Sequence, residues 1–184
     1  MKEFKCFSPW VFLTYKCSCK CPYCFVPSIN DNLLSMTSET FERLLKTTQN
    51  IIEAGNYDQA IFRLSGGEPL LVWKNYANLV TEYKQKLGGK MVFGLLSNLT
   101  ILNDEILEWM KQNDIGIQVS LDDLHNSKPL KNGVSSSSIV LKNIEQLEKA
   151  NICYSINSVF DYEKSGTNGL KELVKYILTK KIRQ

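Results

Sequence analysis

The chain has 184 residues, 43% of them hydrophobic, enough for one domain with a sizeable core. Its formal net charge of +3 is too small to argue for nucleic acid or an anionic membrane surface as a partner. No apolar stretch reaches the length of a membrane span, so no membrane role is expected.

In chain order, Trp10-Val-Phe-Leu-Thr-Tyr15 reads as the first strand and runs into a cysteine-rich loop that carries Pro22 and Pro27. Thr37 or Ser38 caps a helix whose apolar face is Phe41, Leu44, Leu45, Ile51 and Ile52, and Gly55 stops it. The second strand is Ala60 to Leu64; a helix from about Val72 carries Tyr76, Leu79, Val80 and Tyr83 and ends at Gly88-Gly89. The third strand is Met91 to Leu96, followed by a helix capped by Asn103 and bearing Ile106, Leu107 and Met110. Gly116 to Leu121 is the fourth strand, and a polar loop leads to Ser138 and a helix with Ile144 and Leu147. Cys153 to Phe160 is the fifth strand, and a last helix carries Leu170, Leu173, Val174 and Ile177. Strands alternating with helices predict an α/β domain of parallel βα units, with the functional residues at the C-terminal ends of the strands.

Cys17, Cys21 and Cys24 form a C-x3-C-x2-C run with Tyr23 before the last cysteine. Three thiolates can wrap a [4Fe–4S] cluster but leave it one ligand short, and an open metal position is where chemistry enters. Zinc normally takes two closely spaced pairs, and the run has neither a second pair nor a nearby His; the chain's one histidine is His125. A disulfide framework is disfavoured because Met1-Lys-Glu-Phe-Lys5 lacks the apolar segment of a signal peptide. Spacing alone favours the cluster and leaves zinc and disulfide readings open. Six cysteines without an export signal point to a reducing, cytoplasmic setting. Of the others, Cys19 has the wrong spacing for a ligand and reads as a small hydrophobe, Cys153 reads as core, and Cys6 precedes the first strand.

A second motif, Ser65-Gly66-Gly67-Glu68-Pro69, closes the second strand. Adjacent glycines let backbone come close to a ligand, Glu68 can accept hydrogen bonds from a cationic amine, and Pro69 presets the turn into a helix. An ordinary strand-to-helix turn is the alternative.

Together, in this order and each after a predicted strand, the two motifs resemble the radical S-adenosylmethionine (radical SAM) superfamily. The resemblance implies a parallel (β/α) partial barrel, here apparently truncated after five βα units, so that residues 1–184 would be the N-terminal part of a core domain. A sixth unit and any C-terminal SPASM domain would lie outside the chain. It further implies that Cys17, Cys21 and Cys24 hold three irons, that the amine and carboxylate of S-adenosylmethionine chelate the fourth, and that Gly66, Gly67, Glu68 and Pro69 orient the amine. Ser97-Asn98-Leu99-Thr100 is similar to a Thr-Asn-Gly-like stretch beside the cofactor's ribose, with Leu99 where glycine is usual; Asn98 also reads as a turn residue. Val119-Ser-Leu-Asp122, then His125-Asn126, looks like the branch of peptide- and protein-modifying enzymes that includes the anaerobic sulfatase-maturating enzymes. In that branch Ser120 would bond the methionine carboxylate, and the expected arginine is replaced by Pro129. Lys128 or Lys131 could supply the charge, without arginine's bidentate grip.

The implied function is reductive cleavage of S-adenosylmethionine to a 5′-deoxyadenosyl radical that abstracts hydrogen from a peptide or protein. The electron would come from a low-potential donor such as flavodoxin or ferredoxin. A catalytically inactive iron–sulfur domain acting as a scaffold is the alternative.

Overall fold

The computed structural model describes residues 3–26 and 34–180. Pro27, expected in the cysteine loop, lies outside the described residues. The strands are β1 (Cys6–Phe7), β2 (Trp10–Thr14), β3 (Gln59–Gly66), β4 (Met91–Ser97), β5 (Gly116–Ser120) and β6 (Tyr154–Asn157). The helices are α1 (Ser38–Glu53), α2 (Ala77–Leu87), α3 (Asp104–Gln112), α4 (Ser137–Lys149) and α5 (Tyr162–Leu178).

All strands join one parallel sheet in the order β1-β3-β4-β5-β6, with β2 also on β3. β1 pairs with the start of β3 (Cys6 opposite Gln59) and β2 with its end (Trp10 opposite Arg63), so the two share one position in the sheet. Ser8-Pro9 interrupts that position because proline has no N–H to give the ladder; its carbonyl still accepts from Arg63 N at 2.9 Å. The five strand positions thus match the five expected βα units. Among the described residues no pairing joins β6 back to β1 or β2, and the sheet is an open partial barrel.

Alternation along the strands puts one face in the core. In β4, Met91, Phe93, Leu95 and Ser97 are buried while Val92, Gly94 and Leu96 are half-exposed. Phe93 stacks on Phe62 of β3 with ring centroids 5.4 Å apart. Against that face pack Phe41 and Leu45 of α1, Val80 of α2, Ile106 and Met110 of α3, and Ile144 and Leu147 of α4, in one continuous core. Thr37 caps α1 by accepting from Thr40 N, and Asn103 caps α3 by accepting from Ile106 N at 2.9 Å. Among the described residues no helix is long and apolar enough to cross a membrane.

Three local expectations change. The helix expected from Val72 begins at Ala77, after 3-10 turns at Pro69–Leu71 and Trp73–Asn75, because Val72 and Tyr76 take non-helical backbone angles. The fifth sheet position is shorter, since Val159 N turns to Asp122 Oδ1 instead of extending β6. Cys153 is exposed rather than core, because its neighbours Ile152 and Tyr154 take the inward positions.

Candidate active site

The ends of the parallel strands close around a cavity of about 230 Å³. Cys17, Cys21, Cys24, Gly66, Gly67, Asn98 and Ser120 all line it, and Trp10, Phe12 and Phe25 give it an aromatic side. Seven of the nine residues singled out in the sequence therefore converge from four separate segments. Glu68 and Pro69 are buried behind the cavity and do not line it.

The cysteine loop is sewn down twice. At its stem, Gly67 N donates to Thr14 O at 2.7 Å and Glu68 N to Lys16 O at 2.8 Å. A Cβ on Gly66, whose φ is +138°, would lie 2.2 Å from Thr14 O, and one on Gly67 would lie 2.3 Å from Lys16 O. The close approach that requires these glycines is thus to the base of the cysteine loop. Further on, Lys20 N donates to Pro129 O at 2.8 Å and Lys131 N to Ser18 O at 3.2 Å, with Cys19 bridged to Leu130.

Cys17 and Cys21 are half-buried, Cys24 is exposed, and Cys19 is buried beneath them. The hydrogen bond from the Cys19 side chain pulls the Cys17 thiol down, against the effect of burial, while Cys19, the partner in that bond, is pushed up. Burial pushes Cys21 up to about 11, opposed by the ammonium of Lys128.

Glu68 is fully buried. Its Oε1 accepts from Leu70 N at 3.0 Å and Ser97 Oγ at 2.8 Å, and its Oε2 accepts from Asn98 N at 2.8 Å. Burial pushes the carboxyl up to about 7, and the three donors hold it from rising further. The carboxylate is therefore turned to protein donors and ties the end of β3 to the end of β4.

Asn98 leads away from this tie. Its Oδ1 accepts from Thr100 N at 3.0 Å, and its Nδ2 reaches Ser18 Oγ at 3.1 Å and Cys17 Sγ at 3.5 Å. Leu99 takes φ +52°, a left-handed conformation unusual for a residue with a side chain. It is held there by complete burial, by its N–H on Ser97 Oγ at 2.8 Å, and by Asn143 Nδ2 on its carbonyl at 2.8 Å.

A second tie was not foreseen from the sequence. Lys128 Nζ sits 2.8 Å from both oxygens of Asp122, and each side chain is 11% exposed. Lys128 also lies 5.7 Å from the Tyr23 ring centroid, and the Tyr23 hydroxyl donates to Asp122. Burial, and then this bond to Asp122, push the Tyr23 hydroxyl up. Of the two lysines considered for the missing arginine, Lys128 lines the cavity and Lys131 does not. His125 is outside it, exposed, with Nε2 3.2 Å from Glu172.

The donor set suits a cluster. Four cysteines line the cavity, Cys17, Cys21 and Cys24 of the spaced run together with the buried Cys19, and thiolates are the usual protein ligands of iron–sulfur clusters. A cuboidal cluster takes one thiolate per iron, so it calls for sulfurs distributed around a volume.

A family model described as the radical SAM superfamily matches residues 11–163. Among curated relatives, the radical SAM cyclopropyl synthase TigE of Paramaledivibacter caminithermalis is 28% identical over 165 residues, covering 80% of this chain and 35% of its own length. A cysteine-type anaerobic sulfatase-maturating enzyme of Clostridium perfringens is 27% identical over 121 residues, covering 60% of this chain and 32% of its own length. The chain thus spans about a third of the length of these two relatives, and 56% of an uncharacterised protein of Methanocaldococcus jannaschii. Among solved structures, anSMEcpe with bound AdoMet superposes with a TM-score of 0.79 at 21% identity, over 94% of this chain and 47% of that one. Methylornithine synthase superposes with a TM-score of 0.62 at 12% identity, over 94% of this chain and 51% of that one. Both share the fold.

Proposed function

Because the chain belongs to the radical SAM superfamily, we propose that it is the core of an enzyme that holds a [4Fe–4S] cluster and S-adenosylmethionine together in the cavity at the strand ends. With both groups bound, the chemistry supplied is one-electron cleavage of the sulfonium, yielding methionine and a 5′-deoxyadenosyl radical that abstracts hydrogen from a substrate. Cys17, Cys21 and Cys24 would each hold one iron. Gly66 and Gly67 would offer backbone to the methionyl amine, Ser120 a hydroxyl to the carboxylate, and Asn98 would lie beside the ribose. Glu68 and Pro69 act from behind, fixing the turn that presents the glycines. Among the described residues Lys128 brings the one side-chain cation in the cavity lining, already paired with Asp122. Trp10, Phe12 and Phe25 give one side of the cavity an apolar surface.

The observation that carries this reading is the convergence of the three cysteines with Gly66, Gly67, Asn98 and Ser120 on one cavity. The finer reading is a peptide- or protein-modifying enzyme of the cytoplasm, fed by a low-potential donor of the flavodoxin or ferredoxin class. It is supported by the sulfatase-maturating relative and by the likeness in fold to anSMEcpe, which has been solved with AdoMet and the Cp18Cys peptide.

The test is anaerobic reconstitution with iron and sulfide, reduction, and assay of 5′-deoxyadenosine released from S-adenosylmethionine. The expected result is release that requires Cys17, Cys21 and Cys24. A fully formed cluster without release would favour the non-catalytic scaffold reading.

A further inference from the structure

We propose that Asn98 donates a hydrogen bond from Nδ2 to the iron-ligating sulfur of Cys17 and thereby raises the reduction potential of the bound cluster. The inference rests on the assignment of Cys17 as a cluster ligand. Its geometric basis is the 3.5 Å approach of Nδ2 to Sγ, within the longer reach of hydrogen bonds to sulfur.

The direction of the amide follows from its other partners. Thr100 donates to Oδ1 through its backbone N–H at 3.0 Å and through its hydroxyl at 2.8 Å. A backbone N–H is met only by an oxygen, so the NH₂ group must face the opposite way, toward Ser18 and Cys17. The donor is also anchored at its root, since the Asn98 backbone N–H is held by the buried carboxylate of Glu68 at 2.8 Å. Two segments distant in sequence thus aim one amide at one sulfur. A second donor, the backbone N–H of Cys19, lies 3.4 Å from the same sulfur.

The consequence is electrostatic. One-electron reduction adds negative charge that is shared with the ligating sulfurs. An N–H dipole aimed at such a sulfur stabilises the reduced state more than the oxidised one, and hydrogen bonds to the sulfurs are among the factors that set cluster potentials. The electron comes from the external low-potential donor; no bond breaks and the proton stays on Nδ2. Asn98 is therefore a positioning and tuning residue.

The test is the midpoint potential of the reconstituted cluster, followed by the EPR signal of its reduced form, in wild type and three variants. Asn98→Ala removes the donor. Asn98→Leu, neutral and of similar size, removes the N–H without adding a charge, which guards against a packing defect in the alanine variant. Ser18→Ala removes the competing acceptor and leaves the sulfur as the amide's partner. We expect both Asn98 variants to shift the potential downward at full iron content, and Ser18→Ala to leave it level or higher. Unchanged potentials in both Asn98 variants, or an equal fall in Ser18→Ala, would overturn the inference while leaving the cluster assignment intact. A wild-type protein that takes up no [4Fe–4S] cluster would overturn both.

Discussion

The backbone N–H of Asn98 and the carboxylate of Glu68 are joined at 2.8 Å across 30 residues of sequence, inside the protein. Glu68, which the motif resemblance assigns to a ligand, thus works as a bracket between two strand ends. Deleting it in Glu68→Ala leaves Leu70 N, Ser97 Oγ and Asn98 N without their acceptor. At about 1–3 kcal/mol per unsatisfied buried group, with partial relaxation, we expect a loss of about 3 kcal/mol in urea unfolding of the apoprotein.

The same carboxyl makes stability depend on pH. Its folded value, pushed up to about 7, lies above the unfolded range. Between the two, the folded state binds more protons than the unfolded state, so stability is highest at the acid end and falls as pH rises toward 7. The span is on the order of 3 kcal/mol from this one group. Unfolding measured from pH 4.5 to 8 should show that fall in wild type, and Glu68→Gln should flatten it. Parallel profiles for the two proteins would refute the assignment.

The motif glycines offer a sharper contrast. Gly66→Ala or Gly67→Ala places a methyl 2.2–2.3 Å from backbone oxygen, and Gly66 adds a φ of +138°. Either should destabilise the apoprotein by more than about 2 kcal/mol, before any cofactor is considered. Gly89→Ala, with nothing within 4 Å, should stay within about 0.5 kcal/mol in the same melt.

Lys128 and Asp122 are a mostly buried pair, so removing one partner strands the other. Lys128→Met should cost about 3 kcal/mol, and adding Asp122→Asn should recover part of that loss. A double-mutant cycle by chemical denaturation checks this; strictly additive losses would show that the pair is not coupled.

Within the cysteine run, Cys17→Ala, Cys21→Ala and Cys24→Ala should each abolish uptake of a [4Fe–4S] cluster, while Cys19→Ala should retain it. Iron and acid-labile sulfide content with the visible spectrum separates the two classes. Loss of the cluster in Cys19→Ala at normal secondary structure would require a different ligand set.

What could be read from the chain beforehand is what local order encodes. The apolar periodicity of α1, the caps Thr37 and Asn103, and the strand-end placement of both motifs all depend on residues within a few positions of each other. Tyr23 bonding Asp122, 99 residues away, has no local signature, and neither does Glu68 reaching Asn98. Cys153 reads as core from its apolar run but is exposed, because such a run has two faces and only tertiary packing tells which one is covered. Leu99 is the opposite case: a glycine-like conformation occupied by leucine, possible because burial and two hydrogen bonds hold it.

The double anchoring of the cysteine loop decides where ordering entropy falls when the thiols are drawn together. The stem through Lys16 is fixed on β3, and Ser18 to Lys20 is fixed on Pro129 to Lys131. The stretch beyond these anchors runs from Cys21 to Cys24, where the described backbone makes a turn from Cys24 N to Cys21 O at 3.2 Å. At about 1–2 kcal/mol per residue of backbone fixed, capture of a cluster by the proposed ligands would be entropically inexpensive at Cys17 and would cost more at Cys24, whose stretch is held by the Tyr23 hydroxyl on Asp122. On that ligand set, Cys17 would be the thiol already placed by the fold.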